Sequence, residues 1–277
     1  MTALRTRVAP SWLRLREPAD AAARSVELVE RLRGWLPSDA VAVVHDLGSG
    51  DGSLGRWLAP LLGGRQRWVL HDIDADLLTL AEERPPIADG PVEVSTRVDD
   101  VAALDAGALA GADLVATSAL LDLLTADELE GLLGAALAPG CPLLLALSVT
   151  GRVRLAPDDP LDAVLAVAFD DHQRRVSPRG PLLGPDAPTR ATALLEAAGR
   201  EVHVTPSPWR LGPDEPGGSA LLLAWLEGWV GAAVEHEPGL ARQAAAYLTR
   251  RRTETAQGRL RASVGHADLL AGPREER

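Results

Sequence analysis

The chain has 277 residues and a formal net charge of −11, with 46% hydrophobic but only 3% aromatic residues. That length is enough for one large domain with a full core, built mainly from Leu, Val and Ala, among which seven Trp stand out. The acidic balance disfavours nucleic acid and anionic membranes, the single Cys141 excludes an intrachain disulfide, and the absence of lysine excludes any mechanism built on a catalytic lysine.

In chain order, residues 19–35 carry Val26, Leu28, Val29 and Leu32 at helical spacing, after a mixed start with Trp12, Arg14, Arg16 and Pro18. Residues 1–39 therefore read as an N-terminal helical cap. The run 40–44 is continuously apolar, as in a strand buried on both faces of a parallel sheet. A glycine-rich loop follows, and 53–62 reads as a helix closed by Gly63-Gly64. Strands are expected over 66–70, 92–98, 112–116 and 142–149, separated by helices over 75–83 and 126–137. This alternation predicts an α/β doubly wound, mostly parallel sheet. Residues 151–188 are rich in Pro, Gly, Asp and Arg and read as a long excursion after the fifth strand, with a short helix near 161–167. A helix over 189–198 and a strand over 201–205 follow. Two helical stretches, near 219–235 and 240–255, make a helical insertion over 217–257 ahead of a last alternating strand at 259–264.

The loop Asp46-Leu47-Gly48-Ser49-Gly50-Asp51-Gly52 lies between a strand and a helix, where backbone N–H groups and a helix start make a cofactor site. Two cofactor classes compete. Residues 50–55 match G-x-G-x-x-G, the dinucleotide fingerprint, which would make the chain an NAD-dependent oxidoreductase. Charge decides against it. A pyrophosphate needs N–H donors free of nearby carboxylates, whereas Asp46 precedes these glycines and Asp51 lies among them. S-adenosyl-L-methionine, with an ammonium, a sulfonium and one carboxylate, suits an acidic loop.

With its leading acid and spaced glycines, the segment His45–Gly52 resembles the first motif of class I S-adenosylmethionine-dependent methyltransferases. The resemblance runs over roughly 40–205 and 259–270. It implies a seven-stranded Rossmann-like sheet whose last strand is antiparallel and lies beside the fifth. It also implies S-adenosyl-L-methionine as cofactor, held by Asp46, Gly48, Ser49 and Gly50. Asp72, with Ile73 beside it, matches the acid that accepts the ribose hydroxyls. Asp99 and Asp100 end the third strand where the family binds the adenine amino group; Asp100 fits the spacing to Leu104 better, and either residue also reads as a helix N-cap. Residues 112–121 resemble the fourth motif and put Ser118 against the cofactor. Residues 137–142 resemble the family's L-x-P-G-G turn, with Cys141 in place of the second glycine.

Methyl transfer is an in-line displacement, so the protein has mainly to align the nucleophile, exclude water and remove a proton. The turn Thr117-Ser118-Ala119-Leu120 lacks the Pro-Pro-aromatic motif of amino-methylating enzymes of nucleic acid, which leaves a small-molecule acceptor as the expectation. By family analogy its groups come from the N-terminal segment, the turn after strand four and the excursion. There Arg16, Arg174 and Arg175 are candidate anion-binding residues. Asp122, the lone acid of an apolar stretch, and His172, with an ordinary pKa near neutrality, are candidate catalytic groups. The helix-face pair Trp225/Trp229 reads as core. No metal site is expected. The acceptor is a small, polar or anionic metabolite on this reading; the competing one is RNA docked through Arg250-Arg251-Arg252 with Arg259 and Arg261. A scaffold that keeps the fold without chemistry is a third possibility. The longest apolar stretch, 219–234, is interrupted by Glu227 and too short to span a bilayer, and no signal peptide is evident, so the expected location is cytoplasmic.

Overall fold

A computed structural model of the chain describes residues 8–38 and 40–274. The N-terminal segment forms two helices rather than one, α1 (Pro10–Ala23) and α2 (Val26–Arg33). The break has a local cause. Ser25 adopts an extended conformation and its hydroxyl accepts the N–H of Leu28, capping α2, while its own N–H donates to the Asp268 carboxylate at 2.7 Å.

The central layer then follows in βα alternation: β1 (Ala42–Leu47), α3 (Ser53–Leu62), β2 (Gln66–Asp72), α4 (Ala75–Glu83), β3 (Val92–Val98), β4 (Leu114–Ser118), α5 (Ala126–Leu137) and β5 (Leu143–Ala156). Thr125 caps α5 in a reciprocal capping box with Glu128. Next come α6 (Leu161–Gln173), a small hairpin of β6 (Val176–Ser177) and β7 (Gly180–Pro181), α7 (Ala187–Ala197), β8 (Val202–Pro206), β9 (Trp209–Leu211), α8 (Gly218–His236), α9 (Ala241–Ala256) and β10 (Arg261–Ala271).

The main sheet has the order β3-β2-β1-β4-β5-β10-β8. β1 to β5 are mutually parallel, and β10 runs antiparallel between β5 and β8. This is the seven-stranded order expected above, with one strand more: β9 pairs with the first residues of β10 through Ala262–Val264, on the edge where β8 pairs with Ala267–Ala271. The sequence reading missed β9 because three residues carry no periodicity. It also stopped β5 seven residues early. Gly151, at φ +70°, looks like a breaker, but β5 resumes beyond it because β10 supplies a partner along almost its whole length.

A bulge in this pair fixes the geometry of the sheet's centre. Leu147 has φ +52°, and its N–H donates to Asp268 Oδ1 at 2.8 Å. Asp268 also accepts the Ser207 hydroxyl at 2.6 Å and, as above, the N–H of Ser25. One buried carboxylate thus joins β10, β5, the β8–β9 turn and the start of α2.

Three hydrophobic clusters fill the fold. Two lie against the central sheet: one with α5 and α7, the other with α2 and α3. The third joins the extended parts of β5 and β10 to β9, α6, α8, α9 and part of α1. Within the helical insertion, α8 and α9 bury Leu221, Leu222, Trp229 and Tyr247 in this third cluster.

Candidate functional site

Main-chain geometry at the C-terminal ends of the parallel strands opens a cavity of about 630 Å³, at the position where open α/β sheets bind ligands. Its floor is the glycine loop. Gly48 and Gly50 have φ +68° and +56°, and a Cβ on Gly48 would lie 3.1 Å from Leu120 Cδ1. Only glycine takes this turn without strain.

Asp46 sits under the loop at the end of β1, 1% exposed. Neither of its carboxylate oxygens has a hydrogen-bond partner. Burial pushes its pKa up to about 7, against the opposing pull of Arg24. Ser49 Oγ is also buried and unpartnered. Asp72, at the end of β2, accepts the N–H of Gly50 at 2.8 Å and that of Asp74 at 2.9 Å. It therefore holds the loop as well as lining the cavity, and burial raises its pKa.

Asp99 and Asp100 both line the cavity but are anchored differently. Asp100 Oδ1 accepts the N–H of Ala102 and caps a short 3-10 turn. Asp99 Oδ2 lies 2.9 Å from His71 Nδ1, and His71 Nε2 lies 2.9 Å from His45 Nδ1. With Asp99 Oδ2 as acceptor, His71 donates to it and His45 donates to His71, a line of imidazoles leading back from the cavity. Burial lowers the pKa of both histidines, that of His45 to about 4.

The turn after β4 brings Ser118, Ala119 and Asp122 to the wall. Ala119 has φ +54°, an uncommon conformation for a residue with a Cβ. Ser118 Oγ accepts from Arg24 Nη2 at 3.0 Å. Arg24, 3% exposed, also reaches Ser53, and its Nε has no partner. The sequence reading missed Arg24 because it placed this residue inside a continuous helix; the break before Ser25 carries it into the interior. Asp122 is held at a pKa of about 6, raised by burial against Arg16 and Arg175.

The far end of the cavity belongs to the elements that sequence alone described least well. Arg16 donates to Asp20 Oδ2 at 2.9 Å and lies 5.1 Å from the centre of the Trp209 ring. Trp209 Nε1 donates to Asp20 Oδ1 at 2.9 Å. Trp12, Phe169, Trp225, Arg175 and His266 complete this end. Trp225 stacks on Trp229 at 5.4 Å, so the pair is core on one side while Trp225 is wall on the other. His266 Nδ1 is 3.0 Å from the Val264 carbonyl, which places the proton on Nδ1 and leaves Nε2 as an acceptor. Burial, with Arg16 nearby, lowers its pKa to about 4. A histidine on the last strand gave no signal in the sequence, since it becomes part of the cavity only through the β5–β10–β9 pairing.

Two candidate residues lie away from the others. His172 and Arg174 do not line the cavity, because α6 continues to Gln173 and directs Phe169 and Gln173 inward instead. His172 pairs with Glu235 at 3.5 Å, and Arg174 forks onto Asp186 at 2.7 and 3.0 Å on the exposed side. The basic run on α9 is neutralised. Arg250 pairs with Asp159, Arg251 with Asp162 and Glu254, and Arg252 with Glu227. Arg261 pairs with Asp214, and Arg259 binds Gln257. Among the described residues no helix is long and apolar enough to cross a membrane.

No protein-family model matches the sequence, and no curated protein matches it. Solved structures do resemble its fold. The YcgJ protein of Bacillus subtilis is 13% identical, with 91% of this chain and 100% of that one covered at a TM-score of 0.50. A SAM-dependent methyltransferase of Thiobacillus denitrificans, solved with S-adenosyl-L-homocysteine, is 17% identical over 96% and 100% of the two chains, with a TM-score of 0.45. One of Geobacter sulfurreducens, also with S-adenosyl-L-homocysteine, is 17% identical over 94% and 98%, at 0.42. At these identities the likeness is one of fold. The strand order, with its antiparallel strand beside β5, is that of the class I methyltransferase sheet expected from the first motif.

Proposed function

We propose that the protein is an S-adenosyl-L-methionine-dependent methyltransferase acting on a small, anionic metabolite. The observation that carries this reading is Asp46. A carboxylate buried at the glycine loop with neither oxygen partnered has a strong demand for a donor, and a cationic one satisfies it best. The ammonium of S-adenosyl-L-methionine supplies such a donor; a pyrophosphate would meet repulsion from Asp46, Asp51 and Asp72. The residues present therefore fit the group: loop amides for its carboxylate, Asp72 for ribose hydroxyls, Asp99 or Asp100 for the adenine amino group.

When bound, the cofactor supplies an electrophilic methyl on a sulfonium. The chain's own part is to hold the acceptor and manage one proton. Arg16, oriented by Asp20, and Arg175 hold an anionic group of the acceptor. Asp122, which lines the same cavity and feels the charge of both, takes the proton released by the nucleophile, a role suited to a carboxyl whose pKa is near 6. The aromatic walls exclude water.

The test is calorimetry of the purified protein with S-adenosyl-L-methionine, S-adenosylhomocysteine and NAD, followed by methyl-transfer assays with labelled cofactor against metabolite pools and total RNA. Adenosyl ligands should bind and label should enter a small molecule. Binding of NAD alone, or label in RNA, refutes the reading; failure of every adenosyl ligand to bind would favour a scaffold.

A further inference from the structure

The chain has only nine aromatic residues: seven Trp, one Tyr and one Phe. Four of them, Trp12, Phe169, Trp209 and Trp225, come from four separate elements and line one end of one cavity. Of the others, Trp68 and Tyr247 are core residues at 0% exposure. A Leu/Ala-rich protein can build an apolar wall from aliphatic side chains and does so elsewhere. Concentrating scarce aromatics here selects for flat, polarisable surface.

These rings are also held in place. Trp209 is fixed by its hydrogen bond to Asp20, capped by the Arg16 guanidinium, and tilted against Trp12 at 6.2 Å and 58° and against His266 at 5.2 Å and 47°. Trp225 is backed by Trp229 with the planes 16° apart. Prearranged rings offer edge and face contacts to another ring at little entropic cost. Beside them stand Arg16 and Arg175, and the acceptor His266 Nε2.

We infer that the methyl acceptor is an aromatic acid, its ring seated among Trp209, Trp225 and Phe169, its carboxylate between Arg16 and Arg175, and a ring hydroxyl within reach of His266. This rests on the methyltransferase reading for the word acceptor, but not for the ligand class. An aliphatic acid would leave the aromatic faces unmatched. An aromatic cation would meet both arginines, and Asp20 is already engaged by Arg16 and Trp209.

The test uses four probes on the full-length protein, with and without S-adenosylhomocysteine: 4-hydroxybenzoate, cyclohexanecarboxylate, 4-hydroxybenzamide and benzylammonium. Tryptophan fluorescence and equilibrium dialysis read the binding. The expected result is 4-hydroxybenzoate binding at least ~10-fold more tightly than any other probe, and that preference falling by about the same factor in Phe169→Leu (against the alicyclic acid) and in Arg175→Gln (against the amide). Both positions are only partly buried, so the variants should fold, which circular dichroism checks. Equal binding of the alicyclic acid, or tighter binding of the cation, overturns the inference. So does the absence of aryl-acid binding up to ~1 mM. If S-adenosylhomocysteine binds while the aryl acid does not, this inference fails and the methyltransferase reading stands; if the aryl acid alone binds, the reverse holds.

Discussion

The two ends of the cavity are built on opposite principles. The end at β1, β2 and β3 is acidic, main-chain-rich and made by the tips of a parallel sheet, with Asp46, Asp72, Asp99 and Asp100 each following a strand or ending one. The far end is aromatic and basic, assembled from α1, α6, β9, α8 and β10, which are distant in sequence. The first end has its geometry set by strand and loop conformation, so its chemistry is tied to the fold. The second depends on which side chains these separate elements turn toward one another.

The largest expected effect separates the ends by substitution at Asp46. Asp46→Asn should weaken S-adenosyl-L-methionine by ~100-fold or more, about 3 kcal/mol, within the range for a hydrogen bond to a charged group. The same change should raise thermal stability at pH 8. In the folded protein Asp46 binds a proton up to about pH 7, whereas in the unfolded chain it loses it near 3.8. The folded state therefore holds the extra proton between those values, and stability falls as pH rises through that window. Removing the charge relieves this cost. Differential scanning calorimetry at pH 5 and pH 8 checks it; an unchanged difference between wild type and variant across that range would mean that Asp46 is not the buried titrating group.

Asp72→Ala should weaken the cofactor by ~1–3 kcal/mol in calorimetry. Its loop contacts with Gly50 and Asp74 are lost as well, so Gly50 amide exchange should accelerate in the same variant.

The ionisation of Asp46 gives a third measurement. An ammonium favours the carboxylate form, so cofactor affinity should rise from pH 6 to pH 8 and binding at pH 6.5 should release protons. Calorimetry in buffers of different ionisation enthalpy reads this directly. Proton uptake on binding would contradict the pairing.

At the other end, Arg175→Gln should raise KM for the acceptor ~10-fold or more while cofactor affinity stays within about twofold. The smallest effect is expected at Arg250. Its pair with Asp159 is exposed on the arginine side, so Arg250→Gln should cost ~0–1 kcal/mol of stability and leave activity unchanged. A marked loss of activity there would revive a docking role for α9.

How much of this was legible in the sequence follows the same divide. Asp46, Gly48, Ser49, Gly50, Asp72, Ile73, Asp99, Asp100 and Ser118 could be placed together because in a parallel βα repeat every loop after a strand opens on the same edge. A local pattern thus carries a global position. Asp122 and Arg16 were reachable as the charged members of segments flanking that edge. His172 and Arg174 were misplaced because composition marks a segment but not the face of a helix: one further turn of α6 directs Gln173 to the cavity and its neighbour outward. Arg24 and His266 were invisible for a related reason. Arg24 depends on a helix break fixed by Asp268, 243 residues from Ser25 in sequence, and His266 on a strand whose neighbours are set by long-range pairing. The sequence alone determined the parallel βα repeat, the glycine loop and the acids at the strand tips, since each follows from local strand, turn and helix patterns. Only the tertiary structure decided the aromatic and basic end, because its side chains meet through packing of five separate elements, and no local periodicity records which faces those elements turn toward one another.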